Sequence, residues 1–248
     1  MRNSDVKKIM LTGHRGFIGT ALLERLRKHN LIIGFDLLDG QDLFDIALLE
    51  EFDIIIHLAG KSGVRDSMDD PAGYWRNNVE VTKRLLARYP NTRILIASSS
   101  SIYEPHLNPY AASKYLIEQA AREHSNCLCM RFHTVYSDVP RKGMFLQKLI
   151  DGELTYITNH QRDFIHLDDL CEAIELCMIS AYTGTIDIGT GIPVRMMDLV
   201  SDLPVKTSTP NERSFTCANT RKMELLGFKP KHSIVDFLHS NIPIKNNQ

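Results

Sequence analysis

TGHRGFIG, residues 12–19, follows a short apolar run and begins an amphipathic segment. Three glycines at this spacing, between a predicted strand and a predicted helix, are typical of a loop that binds a dinucleotide. Gly13 allows a tight turn, Gly16 lets the backbone approach a diphosphate, and Gly19 lets the helix lie close to the strand. The unpaired N–H groups of the first helical turn then face the anion. The stretch therefore predicts a dinucleotide site at the end of the first strand.

Short apolar runs alternate with amphipathic segments through the first two thirds of the chain. Runs rich in Ile, Leu and Val are typical of strands buried on both faces, and apolar residues at intervals of three and four predict helices. We therefore predict an α/β fold with a doubly wound parallel sheet, whose ligand crevice lies at the carboxyl ends of the strands. The predicted strands are Lys8 to Leu11, Leu31 to Phe35, Ile54 to Leu58, Arg93 to Ala97 and Cys127 to Phe132, and the predicted helices are Phe17 to Lys28, Tyr74 to Arg88 and Tyr110 to Arg122.

After Phe132 the pattern becomes less regular, with Gly and Pro at short intervals, which predicts a smaller second lobe. We expect residues 1–132 to form the dinucleotide-binding domain, with a return segment near residues 163–182. Residues 133–248 are expected to form mainly the second lobe.

The composition of the 248 residues argues against several classes of protein. A hydrophobic content of 43% predicts a folded core, and a net charge of -1 argues against binding to nucleic acid or to an anionic membrane surface. Five Cys without a C-x-x-C pair predict neither a disulfide framework nor a zinc site. No carboxylate or Cys stands at metal-ligand spacing from His14 or His57, so no metal site is predicted. The polar N-terminal stretch and the lack of a long apolar run predict a soluble, cytoplasmic protein without a leader.

The residues after the second predicted strand indicate which dinucleotide binds. Asp36 ends that strand about 20 residues beyond the glycine loop, where a carboxylate bonds the adenosine ribose and repels the 2′-phosphate of NADP. The sequence therefore favours NAD. Arg15 leaves an alternative open, because its guanidinium could neutralise that phosphate or could stand in solvent. Asp42 and Leu43 are predicted neighbours of the adenine.

A second group of polar residues follows the run Arg93 to Ala97. Ser99 is the second residue after it, and Tyr110 and Lys114 lie four residues apart, which places them on one face of the predicted helix. Lowering the pKa of a tyrosine by about three units requires about 4 kcal/mol, which one cation about 4 Å away can supply. We therefore predict that Tyr110 exchanges a proton with a substrate hydroxyl, that Lys114 stabilises the phenolate, and that Ser99 bonds the substrate oxygen.

Further motifs extend along nearly the whole chain. They are HLAG at 57–60, DP at 70–71, NNV at 77–79, PYAASK at 109–114, RDFIHLDD at 162–169, IGTG at 188–191 and LLGFKP at 225–230. With these motifs the chain resembles extended short-chain dehydrogenases/reductases, and specifically the NAD-dependent nucleotide-sugar epimerase/dehydratase family of the UDP-glucose 4-epimerase type.

The resemblance implies a Rossmann-like domain, a small C-terminal substrate-binding lobe and a homodimer built on the two helices that carry Tyr74 and Tyr110. It also implies a nucleotide-diphosphate sugar as substrate, with two arginines on its diphosphate. The predicted cofactor-binding residues are Gly13, Arg15, Gly16, Phe17, Ile18, Gly19, Asp36, Asp42, Leu43, Leu58, Ala59, Gly60, Asn78, Tyr110 and Lys114. The predicted substrate-binding residues are Ser99, Ser100, Thr134, Arg162 and Arg213.

The chain departs from the family pattern at three places. Ser99 and Tyr110 are only 11 positions apart, so a loop that covers the crevice in relatives is missing. Thr134 replaces a substrate-contacting Asn. Ser100 and Ser101 stand where 4,6-dehydratases carry Asp-Glu, so dehydration is not expected.

We therefore predict an epimerase that oxidises a sugar hydroxyl at C4, forms a transient keto-sugar and reduces it on the other face. One alternative is an NADP(H)-dependent nucleotide keto-sugar reductase, because the loop from Gly13 to Gly16 resembles that of GDP-fucose synthase. Another alternative is a non-catalytic NAD(P)-binding regulator.

Overall fold

In a computed structural model the chain divides into two compact units, which are Met1–Arg131 with Ile174–Ile186 and Phe132–Ala173 with Asp187–Gln248. The structure describes residues 6–45, 47–200, 203–207 and 209–241. Residues 1–5, part of the stretch expected to carry no leader, lie outside the described residues. The first unit thus ends one residue before the predicted boundary, and its returning segment begins later than the predicted residue 163.

The chain alternates strands and helices, and the bounds are as follows. The strands are β1 Lys8–Thr12, β2 Leu31–Phe35, β3 Ile54–His57, β4 Arg93–Ser99, β5 Cys127–Phe132, β6 Thr134–Tyr136, β7 Ile157–Thr158, β8 Gln161–His166, β9 Gly184–Ile188, β10 Pro193–Arg195 and β11 Val205–Lys206. The helices are α1 Phe17–Leu26, α2 Val64–Asp69, α3 Pro71–Tyr74, α4 Val81–Arg88, α5 Pro109–Ala121, α6 Phe145–Ile150, α7 Leu167–Ile179, α8 Arg221–Leu225 and α9 Ile234–Asn241.

A six-stranded sheet in the order β2-β1-β3-β4-β5-β9 forms the framework of the first unit. The pairs β1–β2, β1–β3 and β3–β4 are parallel. One face of the sheet packs on α4 and α5 through a buried cluster that includes Met10, Ile55, Ile94, Leu85 and Ile117. Burial of these side chains removes apolar surface from water, which is the main stabilising effect in such a core. The architecture confirms the predicted α/β fold with a parallel central sheet.

The segment predicted as one helix, Tyr74 to Arg88, is irregular in the structure. Asp70 begins the helical region, since its Oδ1 accepts a hydrogen bond of 2.9 Å from the backbone N–H of Gly73. A π-helical turn, Trp75–Glu80, then separates α3 from α4. Such turns add one residue to the hydrogen-bonded ring and occur often at functional sites. The apolar spacing predicted the helix but not this turn.

The second unit contains a three-stranded sheet, β10-β8-β6, and the two-stranded pair β11-β7. Its core includes Tyr136, Phe164 and Leu238. The buried carboxylate of Asp163 accepts hydrogen bonds from both the N–H and the hydroxyl of Thr190, and from the N–H groups of Gly191 and Ala218, at 2.7–2.9 Å. These bonds attach β8 to the two loops that follow β9 and precede α8. Within the described residues, no helix combines the length and apolar character needed to cross a bilayer.

Candidate functional site

The glycine loop joins β1 to α1 and approaches the loop after β3 closely. Gly13 has a φ of 70°, and a Cβ there would lie 2.7 Å from the backbone nitrogen of Ala59. A Cβ at Gly19 would lie 2.0 Å from the carbonyl oxygen of Gly13, and one at Gly16 would lie 3.1 Å from the same atom. Side chains at Gly13 and Gly19 would displace backbone, so the loop holds its shape only with glycine at these two positions, whereas a Cβ at Gly16 would make a tight contact.

A cavity of about 250 Å³ in the first unit lies against this loop. Eight of the predicted cofactor-binding residues line it, namely Gly13, Gly16, Asp36, Asp42, Leu43, Leu58, Ala59 and Gly60. The sequence did not single out seven further lining residues, which are Phe35, Leu37, Leu38, Gln41, Lys61, Asn77 and Val81. Most of these seven are next to a predicted cofactor-binding residue in the chain, namely Asp36, Asp42, Gly60 or Asn78. This adjacency is the feature of the sequence from which they could have been predicted.

At one end of the cavity, the glycine loop is connected to the turn that follows β2. Asp36 Oδ2 accepts a hydrogen bond of 3.0 Å from the backbone N–H of Arg15, and its Oδ1 accepts one of 3.0 Å from Leu38. The Arg15 side chain does not extend freely into solvent, because its Nη1 lies 2.5 Å from Asp39 Oδ1. Nearby, a hydrogen bond from the Phe44 backbone N–H and, secondarily, one from Arg76 hold the pKa of Asp42 below its usual value.

A buried histidine connects β1, β3 and α4 beneath the loops. His57 Nδ1 lies 2.7 Å from Thr12 Oγ1, and its Nε2 lies 3.0 Å from Thr82 Oγ1. Thr12 Oγ1 also accepts a hydrogen bond of 3.1 Å from the N–H of Ala59. Burial and, secondarily, the charge of Lys114 lower the pKa of His57 to about 3. His57 is therefore a neutral structural residue that fixes the loop on which Ala59 and Gly60 lie.

Asn78, in the π-helical turn, fixes the other side of this loop. Its Oδ1 accepts a hydrogen bond of 2.7 Å from Lys61 N, and its Nδ2 donates to Lys61 O at 3.0 Å and to Ser113 Oγ at 2.9 Å. A Cβ on Gly60 would lie 2.8 Å from Asn78 Oδ1, which explains the glycine at that position. Asn78 thus joins the loop after β3 to the helix that carries Tyr110 and Lys114.

Lys114 is a buried cation within the first unit. Asn108 caps its helix, because the Asn108 side chain accepts a hydrogen bond of 2.7 Å from the N–H of Ala111. The Nζ of Lys114 donates to the carbonyl oxygen of Ala97 near the end of β4, at 2.8 Å. Burial lowers the pKa of Lys114 to about 8. The amine remains mostly protonated at neutral pH, and it lies 5.9 Å from the centroid of the Tyr110 ring.

Two tyrosines lie near this amine, and their environments differ. The Tyr110 ring is half-buried and packs edge-on against Tyr74, with 6.2 Å between the ring centroids. The hydroxyl of Tyr74 donates to the carbonyl oxygens of Ser62 and Gly63, and burial raises the pKa of Tyr74 to about 12. Tyr74 is therefore held as a neutral phenol, which leaves Tyr110 as the candidate base.

The serines at the end of β4 are buried, and Ser99 caps a tight turn that follows the strand. Ser99 Oγ accepts a hydrogen bond of 3.1 Å from the N–H of Ser101 and lies 3.2 Å from Ser101 Oγ. Ser98, on the opposite face of the strand, bonds the buried carboxylate of Glu118 at 2.5 Å. Arg131 pairs with the same carboxylate at 2.8 Å. Ser98 and Glu118 thereby attach the end of β4 to the helix of Lys114.

The remaining predicted substrate residues belong to the second unit, where Thr134 begins β6 and Arg162 lies in β8. The Arg162 guanidinium is mostly buried, 2.8 Å from His160 Nδ1 and 3.8 Å from a carboxylate oxygen of Glu212. Burial lowers its pKa, and the charge of Arg213 lowers it further. The carboxylate of Glu212 opposes these effects and raises the pKa of Arg162.

The second unit also holds a histidine and carboxylate cluster that was not predicted. Ligating atoms of His166, Asp168 and His232 lie within 4.8 Å of one another. The two imidazole rings are stacked, however, with 4.1 Å between their centroids and 27° between their planes. Lone pairs in the planes of stacked rings do not converge on one ion, so we assign no metal to this cluster.

The first unit fits a nicotinamide dinucleotide. The loop in which a Cβ on Gly13 or Gly19 would collide with backbone has the shape of a cradle that would hold a diphosphate, and Asp36 lines the same cavity, where its carboxylate would bond an adenosine ribose. The cradle, Asp36 and the apolar residues Leu37 and Leu38 would hold the adenosine half. The ammonium of Lys114 would donate a hydrogen bond to the nicotinamide ribose.

Comparisons with known proteins agree with this geometry. UDP-glucuronate 4-epimerase 2 of Arabidopsis thaliana is 26% identical over 319 residues, which cover 98% of this chain and 71% of that protein. The aligned length exceeds the 248 residues of this chain, so the relative contains segments that this chain lacks.

Solved structures of similar proteins contain the dinucleotide. MoeE5 in complex with UDP-glucose and NAD has a TM-score of 0.81 at 26% identity, over 94% of this chain and 97% of that one. The Bacillus cereus UDP-glucuronic acid 4-epimerase in complex with UDP-glucuronic acid and NAD has a TM-score of 0.81 at 25% identity, with the same coverage. The model of the NAD dependent epimerase/dehydratase family matches residues 9–189. The chain belongs to this family, and NAD is its cofactor.

Proposed function

We propose that the protein is an epimerase that inverts C4 of a nucleotide-diphosphate sugar through a transient keto-sugar. The observation that carries the proposal is the position of Lys114. Its ammonium is buried on the same helical face as Tyr110 and bonded to Ala97 at the end of β4. A cation held there favours the phenolate form of Tyr110, which makes a neighbouring tyrosine a usable base near neutral pH.

Each residue has a defined task in the proposed reaction. Tyr110 removes the proton from the C4 hydroxyl and later returns a proton to the same oxygen. Ser99 bonds that oxygen, and Lys114 stabilises the negative charge on Tyr110. Bound NAD supplies the hydride chemistry, as acceptor in the first half and donor in the second. Because the hydride returns to the opposite face, the reaction inverts C4 and produces no net change in oxidation state.

The substrate class is proposed from the second unit and from the relatives. Arg162 and Arg213 provide planar donors suited to a diphosphate, in a chain whose net charge of -1 gives no general attraction for anions. MoeE5 is described with UDP-glucose, and the Bacillus cereus enzyme with UDP-glucuronic acid. We therefore propose a UDP-hexose or UDP-hexuronic acid as substrate. Dehydration is not proposed, because Ser100 and Ser101 offer no carboxylate.

The proposed assembly is a homodimer that pairs α4 and α5. Trp75 and Tyr115, on or beside these helices, are large apolar residues with substantial exposure, and such surface is often covered by a partner.

We place the enzyme in the cytoplasm, because all five cysteines are free thiols and such thiols are typical of a reducing compartment.

The test of the proposed function is a comparison of two tyrosine variants on one helix. Purified protein is incubated with UDP-glucose and UDP-glucuronic acid, and C4 epimers are detected by NMR. We expect Tyr110→Phe to lower turnover by about 100-fold to 10,000-fold, the usual contribution of a general acid/base. Tyr115→Phe, five residues further along the helix and outside the residues that line the cavity, should retain turnover, because it keeps the aromatic ring that the proposed dimer would cover. Unchanged turnover in Tyr110→Phe would exclude the proposed role of this residue.

The reaction in D₂O separates this mechanism from epimerisation by proton exchange. Hydride that leaves C4 and returns to C4 carries no solvent deuterium into that position. Deuterium at the inverted carbon would contradict the proposal.

A further inference from the structure

The adenosine end of the NAD site contains an ion pair that the family motifs do not explain. Arg15, in the glycine loop, pairs with Asp39 at 2.5 Å. Asp39 ends a short 3₁₀ turn, Leu37–Asp39, directly after Asp36. Both Leu37 and Leu38 line the cavity, so the pair lies beside the residues expected to contact the adenosine.

Asp39 is held at both carboxylate oxygens. Its Oδ1 binds Arg15, and its Oδ2 lies 3.1 Å from Nε2 of His14. The His14 ring in turn lies against Gly34, where a Cβ would be only 2.7 Å from the ring. This packing prevents the imidazole from moving towards β2, so Asp39 has a fixed partner on each side.

Arg15, in the glycine loop, is a cation that could bind a phosphate on the 2′-oxygen of the adenosine ribose. An arginine near this position is how dinucleotide-binding loops accommodate NADP, because a planar guanidinium bonds phosphate with two parallel donors. In this structure its Nη1 is already bonded to a carboxylate. The neighbouring Asp36 adds a second negative charge next to the same turn.

We propose that Asp39 determines the preference for NAD over NADP by holding Arg15 away from the ribose. Asp39 is thus a specificity-determining residue, and Arg15 is a latent phosphate ligand. The inference rests on the NAD site and not on the epimerase reaction, so it stands or fails independently of the proposed catalysis.

The pair is half-exposed, which limits the expected effect. Exposed ion pairs contribute little to stability, so removal of Asp39 frees Arg15 at little cost to the fold. A free guanidinium then meets a 2′-phosphate of nearly two negative charges. We expect the ratio of the NADP dissociation constant to the NAD dissociation constant to fall about tenfold in Asp39→Ala, the equivalent of about 1.4 kcal/mol.

The experiment measures both dissociation constants by calorimetry, without any sugar substrate. The variants are Asp39→Ala, Arg15→Ala and the double variant, with Asp198→Ala as a control that removes the same charge from an exposed ion pair, with Arg195, in the second unit. We expect the tenfold fall in Asp39→Ala and an unchanged ratio in Asp198→Ala. The fall should be absent when Arg15 is also removed, because the double-variant cycle isolates their coupling.

Two results would overturn the inference. One is an unchanged ratio in Asp39→Ala, and the other is a fall that persists in the double variant. Should Asp39→Ala unfold, as its melting temperature would reveal, Asp39→Asn removes the charge at constant shape. It should then shift the ratio in the same direction by a smaller factor, and an unshifted ratio would equally overturn the inference.

Discussion

The buried amine of Lys114 should make the stability of the protein depend on pH in a way that one substitution removes. Burial lowers its pKa from 10.5 to about 8 in the folded chain. Between these two pH values the unfolded chain binds more protons than the folded chain, so this group makes folding more favourable as pH rises. Below pH 8 the charged amine opposes folding by about 3 kcal/mol, since each pKa unit is about 1.4 kcal/mol.

Lys114→Met isolates this contribution, because every other titrating group is common to both proteins. We expect the difference in free energy of unfolding, variant minus wild type, to fall by about 2 kcal/mol between pH 7 and pH 9.5. The direction follows because the wild type gains stability over this range, whereas the variant has no amine to titrate at that position.

The assay is urea unfolding followed by far-UV circular dichroism at four pH values, with linear extrapolation to water. Lys28→Met is the matched control, because Lys28 is exposed and its difference from wild type should stay level across the same range. A level difference for Lys114→Met would refute the reasoning, as would a difference that grows with pH. A level difference would mean that the amine keeps its ordinary pKa in the folded chain, and a growing difference would mean that folding raises that pKa.

Three further outcomes are expected. The value of kcat/KM should decline above about pH 8 as Lys114 loses its proton, since burial lowers its pKa to about 8; activity that holds level to pH 10 would argue against a cationic role. Gly19→Ala should weaken NAD binding and reduce stability by about 1–3 kcal/mol, because its Cβ would lie 2.0 Å from the Gly13 carbonyl oxygen, and calorimetry with thermal unfolding measures both. Asp163→Asn should destabilise the protein by about 2–4 kcal/mol in urea unfolding, because an amide cannot accept all the bonds from Thr190, Gly191 and Ala218; a loss below about 0.5 kcal/mol would contradict this.

The parts of the molecule that local sequence determines were predictable. The apolar runs at β1, β3 and β4 are buried on both faces, and this continuous pattern distinguishes them from amphipathic segments. The glycine loop was also predictable, because a Cβ at any of its three glycines would lie close to backbone atoms. Most predicted ends of strands and helices coincide with the observed bounds, and nearly all of the others differ by one or two residues, where caps such as Asn108 decide the first turn.

The parts that depend on distant contacts were not predictable. The π-helical turn holds Asn78 against Lys61 and Ser113, which are 17 and 35 residues away in the chain. The spacing of apolar residues along the chain gives no information about such a hydrogen bond. The contacts of Asp39 with His14 and Arg15, which are 25 and 24 residues away in the chain, likewise arise only in the folded chain. Assignments of individual side chains to the cofactor and the substrate remain predictions that the variants described above can test.

The neutral histidine beneath the loops has a consequence for kinetic work on this protein. Titration near pH 6 is commonly ascribed to an imidazole, but the pKa of His57 lies near 3 because the ring is buried. Between pH 5 and 9 its hydroxyl partners Thr12 and Thr82 therefore keep one pattern of donors and acceptors. The support beneath the dinucleotide should thus be insensitive to buffer choice, and an inflection in an acid-side rate profile must originate elsewhere.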